Sequence, residues 1–161
     1  MTVANDRAVR AVSPLNAGAV AGGIAGVLFA VVMVPPEFIP MVGALYGFEG
    51  SMIAGWIFHL LHSIFFGLVF VGLTRAVRPL ARIVEGFPTG AIPGAVFGIV
   101  VWLIFAAFVM PAWIGGVTDM DPPVPDWNAL SFIGHIVYGA AVGAIYPVMH
   151  RASVAAESTA K

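Results

Sequence analysis

The 161-residue chain contains no cysteine, and only 9% of its residues are charged. The first absence excludes a disulfide framework, a thiolate metal site and a cysteine nucleophile. The second is far below the quarter or so expected of a soluble domain. With 60% hydrophobic residues and a mean hydropathy of +1.00, the composition fits a bilayer, not water. The net charge of −1 gives no reason to expect a nucleic-acid partner. The longest apolar runs also lack Asp and Glu, which excludes a carboxylate acid–base pair or a buried acid of the kind proton-driven carriers use. The glycine-rich stretch "GAVAGGIAG" lies inside an apolar run with no strand before it, so it is read as helix packing and not as a nucleotide loop. No Ser-His-Asp order suggests hydrolysis, and no catalytic residue is singled out.

Four runs are long enough to cross a bilayer, which takes about 20 apolar residues. They extend from about Leu15 to Val34, Met52 to Leu73, Ala91 to Ala112 and Ala129 to Met149. Arg7 and Arg10 precede the first, as in a signal peptide, but its apolar run is longer than a typical signal core. It is read as a retained helix. The basic residues Arg7, Arg10, Arg75, Arg78, Arg82, Arg151 and Lys161 all fall in the two tails or the loop between spans two and three. The other two loops carry Glu37, Glu49, Asp119, Asp121 and Asp126, with no Lys or Arg. The positive-inside rule then puts both termini in the cytoplasm and the acidic, proline-rich loops outside. Trp56, Trp113 and Trp127 lie near the outer interface, as an aromatic belt requires.

Sliding the chain against itself by 76 residues gives a gapless match. Gly18, Gly22, Phe29 and Pro35 fall on Gly94, Gly98, Phe105 and Pro111, while His59, Gly67 and Arg75 fall on His135, Gly143 and Arg151. The expected fold is all-α and integral to the membrane: a single domain over 1–161, built from two tandem hairpins over about 15–76 and 91–152. Parallel repeats of this kind are related by a pseudo-twofold axis along the membrane normal. Pro35 and Pro111 are expected to end their helices or start the loops, and Met33 and Met110 to fill core space.

Spans two and four each carry a stripe with a spacing of four: Gly55, His59, Ser63, Gly67 and Ser131, His135, Gly139, Gly143. That spacing keeps residues on one helix face. Small residues there mark close helix approach. The axis would bring His59 and His135 to one depth, about 10–12 Å in from the outer helix ends. His62 lies one turn further in, and its counterpart is Tyr138.

Three readings of the histidines stay open. They hydrogen-bond across helix interfaces, at a modest worth of about 0.6 kcal/mol each. They ligate a haem b, with Gly67, Gly139 and Gly143 making room for the macrocycle, or a transition metal, with His62 joining them. Or they line a path for a small solute. The corresponding functions are a haem- or metal-binding membrane protein, one use of which is electron transfer; a channel or carrier; and a non-catalytic subunit of a larger membrane complex. The glycine stripes on spans one and three suggest a homo-oligomer besides contact with lipid. The stretches "GWIFHLLHSIFFGLVF", "FGIVVWLIFAAFVMP" and "GHIVYGAAVGAIY" resemble an uncharacterised family of small four-helix membrane proteins of bacteria and halophilic archaea. The resemblance covers most of residues 15 to 150, and it implies the four-helix fold and nothing about chemistry.

Overall fold

The computed structural model describes residues 13–33, 37–84, 86 and 88–159, with side chains described as far as 151. The expectations placed on Arg7, Arg10, Pro35 and Lys161 lie outside these residues. Among those described, the chain is helical without strands. Helix α1 spans Pro14–Val32, α2 Phe38–Ala44, α3 Met52–Ala76, α4 Arg78–Ile83 and α5 Ala91–Val101. A π-helical segment, Trp102–Val109, continues α5 into α6, Met110–Val117, and α7 covers Ala129–Thr159. Four helical rods are long and apolar enough to cross a membrane: 14–32, 52–76, 91–117 and 129–151.

Short polar residues set the helix starts. Ser13, Ser51 and Asn128 accept hydrogen bonds from the backbone N–H groups of Asn16, Ala54 and Ser131 at 3.2, 3.2 and 2.9 Å. Each satisfies a donor that the first turn leaves without a helical partner. Gly47 and Gly50 adopt positive φ, +80° and +72°, and so turn the chain from α2 into α3. Few other residues enter that region without strain.

Helix α1 packs between α3 and α7, and α5 packs on α7. Glycine makes the two outer seams tight. A Cβ at Gly22 would come within 2.5 Å of the Ser63 carbonyl oxygen and 3.1 Å of the Gly67 Cα. In the α5–α7 seam, a Cβ at Gly98 would fall on the His135 carbonyl oxygen and lie 3.3 Å from the Gly139 Cα. The two seams are not set alike. A uniform shift of 76 would give Gly98 the partners Gly139 and Gly143, yet its partners come one helical turn earlier. Gly139 stands where the first seam has Ser63, and Trp102 where it has Gly26.

Helix α3 and the π segment do not pack broadly against each other; they meet where the Phe66 and Phe105 rings make an edge contact at 4.8 Å. Exposed Ile53, Ile57, Leu61 and Phe65 form a four-residue stripe along α3, on a different face from the buried Gly55, His59, Ser63 and Gly67. That surface suits hydrocarbon and not water.

Pro111 does not end its helix as expected; the rod runs on to Val117. Proline lacks the N–H that would bond to the carbonyl four residues back, at Ala107. The Asp126 N–H takes up that oxygen at 2.8 Å, and Met110 donates five residues back to Phe105. The wider winding before the proline and the docked loop together satisfy the backbone. The glycine stripes, which suggested an oligomer, are also matched largely within one chain.

The seams predict how glycine substitutions act. Gly98→Ala is expected to destabilise the protein by about 1–3 kcal/mol, because its Cβ meets backbone that cannot yield. Gly72→Ala, with no atom within 4 Å of the added Cβ, is expected to be neutral or slightly stabilising. Thermal melts in detergent compare the two.

Candidate functional site

A cavity of about 370 Å³ opens between α3 and the π segment. Its apolar wall includes Phe29, Phe38, Phe66, Phe105 and Trp113, with α2 at the end that carries the acidic loops. All three span histidines line it, together with Ser63, Tyr138, Asp126 and Asn128. This is within the size range of small-ligand pockets, which are mostly apolar with a few convergent polar groups.

His59 is buried at 6% exposure, and His135 is half-buried. Their rings flank one residue of α1: Phe29 lies 5.5 Å from the His59 ring and 4.8 Å from the His135 ring, centroid to centroid. The rings thus face a common interior. Each also makes a bond that fixes its tautomer. His59 Nε2 lies 2.9 Å from the Gly26 carbonyl oxygen, and His135 Nδ1 lies 2.7 Å from the Ser131 carbonyl oxygen. A carbonyl only accepts, so both of these nitrogens carry the proton. The lone pairs of the neutral rings are therefore at His59 Nδ1 and His135 Nε2. The His59 bond crosses from α3 to α1, whereas the His135 bond stays within α7, four residues back. The same bonds are what metal-ligating histidines typically make with their second nitrogen.

His62 reaches away from this pair and hydrogen-bonds to the Tyr46 hydroxyl, in the turn after α2. Tyr46 also stacks on Phe58, centroids 3.8 Å apart, so the turn is clamped to α3. Among the described residues, no three His, Asp or Glu side chains converge into a set that would hold a metal ion by themselves. The His59, His62, His135 trio shares the cavity without forming such a cluster. Tyr138, the counterpart of His62, donates to the Ser63 carbonyl oxygen at 2.6 Å and so ties α7 to α3. Ser63 in turn donates to the His59 carbonyl at 2.8 Å.

Gly67, Gly139 and Gly143, expected to leave room for a macrocycle, do not line the cavity. The neighbouring helix takes their space: α1 at Gly67, and α5 or the turn before it at Gly139 and Gly143. Sequence reasoning missed Phe29, which contacts both imidazoles, and four methionines on the cavity wall: Met33, Met41, Met110 and Met120. Helical spacing was available as a signal for Phe29, because it follows Gly18, Gly22 and Gly26 on the packed face of α1. The methionines come from α2, from the loop after α6 and from the ends of α1 and α6, which no single-helix stripe connects.

No family model, curated protein or solved structure matches the chain.

Burial pushes the Tyr46 hydroxyl above its ordinary value of 10.0. An unfolded chain would release that proton near pH 10 while the folded chain keeps it. The unfolded state then binds fewer protons, so stability is expected to fall as pH rises through 10. A spectrophotometric titration should show a tyrosine component above pH 10 that Tyr46→Phe removes, and the alkaline loss of stability should be smaller in that variant.

Proposed function

We propose that the chain is an integral membrane protein that binds a transition metal ion through His59 and His135, in the half of the bilayer away from the cytoplasm. The reading takes the protein as two parallel copies of a helical hairpin, with both termini cytoplasmic and the acidic loops outside. The confinement of all seven basic residues to the tails and the middle loop supports this orientation. The metal reading is carried by one observation: each of two span histidines directs an N–H to a backbone carbonyl and keeps a lone pair, beside the same cavity. Imidazole in that state is a ligand for Zn, Cu, Fe or Ni. Both imidazoles contact the Phe29 ring, which puts them on one neighbourhood of the cavity wall.

Haem b would use the same pair of histidines. The glycines that would flank it are occupied by helix contacts, so the bare ion is the reading adopted. A solute path across the membrane has less support. A second cavity of about 200 Å³ lies at the basic end, beside Thr74, Arg75, Tyr146 and Arg151. Phe70, Val71 and Val142, almost fully buried, fill the core as bulky apolar side chains.

The test is equilibrium dialysis of the protein in mild detergent against Zn(II), Co(II), Ni(II) and Cu(I), with elemental analysis. At least one ion is expected near one per chain. His59→Ala and His135→Ala should each weaken binding on the order of tenfold or more. Failure of all four ions to bind ends the proposal. A Soret band after hemin addition that His59→Ala abolishes would transfer the site to haem b.

A further inference from the structure

Resting on the metal reading above, we infer that the ion is copper(I), held by thioethers of the cavity methionines as well as by His59 and His135. Four of the chain's seven methionines, Met33, Met41, Met110 and Met120, lie on the wall of this one cavity. They arrive from four different places: the end of α1, α2, the start of α6, and the loop after α6. Met33 sits against α7 beside the ligand histidine. Its Cγ would lie 3.3 Å from a Cβ at Gly134, the residue before His135. Gly134 itself is buried, and with no side chain it leaves that space to Met33 and Phe29.

The donor set selects among metals. Zinc takes about four ligands in tetrahedral array, from thiolate, imidazole or carboxylate. The chain has no cysteine, and among the described residues no third histidine or carboxylate converges with the pair. Thioether sulfur is a poor donor for a hard dication, and it is a soft donor that selects Cu(I). Cu(I) also accepts two to four ligands, and a pair of imidazoles with one or two thioethers makes three or four. Charge acts in the same direction. Every candidate donor in the cavity interior is neutral, so the ion's own charge stays uncompensated there. Desolvation cost rises as the square of that charge, so a monocation meets about a quarter of the penalty of a dication in the same site. Asp126 is the one carboxylate among the described residues that line the cavity, and its charge favours a cation there.

The test combines competition with substitution. The detergent-solubilised protein is titrated with Cu(I) under reducing conditions against a chromophoric Cu(I) chelator, and separately with Zn(II). One Cu(I) per chain is expected, resistant to a hundredfold excess of Zn(II). The combined variant Met33→Leu, Met41→Leu, Met110→Leu keeps side-chain volume nearly unchanged, and a thermal melt checks its fold. It should lose Cu(I) affinity at least tenfold while any Zn(II) binding stays as in the parent. X-ray absorption of the Cu(I) form should show copper–sulfur scattering. A folded triple variant that binds Cu(I) like the parent, or a spectrum with nitrogen ligands alone, overturns the thioether assignment. Binding of Zn(II) or Ni(II) without Cu(I), lost in His135→Ala, overturns the copper assignment and leaves the histidine site standing. If no ion binds, both fall. Should the triple variant fail to fold, Met110→Leu alone with the absorption spectrum decides the same question.

Discussion

Backbone-to-backbone contact at glycine is the constraint on which the rest of this structure rests. Between helices as apolar as these, close approach of the main chains is a principal source of attraction. Gly18 and Gly22 let α1 reach α3, and Gly94 and Gly98 let α5 reach α7. These tight seams leave the remaining boundary, between α3 and the π segment, without comparable contact. A gap there becomes a cavity because bulky rings, Phe66 and Phe105, prop its floor. The glycines of the two seams therefore shape the site without lining it.

The polar groups of the cavity depend on the same seams. Gly26 presents its carbonyl to His59 because α1 lies so near α3, and the glycine itself rests against the Ser63 side chain. The Ser63 carbonyl then receives the Tyr138 hydroxyl from α7. One serine thus sits at the meeting of three helices. Its hydroxyl turns back to its own helix, and its carbonyl holds a neighbour. Imidazole orientation, helix spacing and the link between hairpins are consequences of one packing arrangement.

Much of this was legible from residue order. Apolar length gave the four rods, because a run of that size has few other uses. A spacing of four put His59 with Gly55, Ser63 and Gly67, and the face was indeed buried. What could not be read follows from interactions that cross the chain. Pro111 reads locally as a stop, yet a backbone N–H from fifteen residues further on, at Asp126, supplies an alternative donor to the carbonyl it strands. Helix α2 is a seven-residue segment between turns, too short for a periodic pattern. The one-turn difference between the seams is hidden by a gapless match. The methionines looked like filler one at a time. Only the fold shows that four of them share a wall.

The stranded carbonyl of Ala107 makes the acidic loop part of the helix's own hydrogen-bond ledger. A loop is normally free to be lengthened or swapped, since its ends alone are fixed. Here an interior residue closes a vacancy two turns inside a rod, next to the widened coil that forms one side of the cavity. Any rewinding of that coil toward ordinary α geometry would have to release or carry Asp126 with it. One side of the chamber and the winding of one helix are accordingly joined by an amide that proline could not supply.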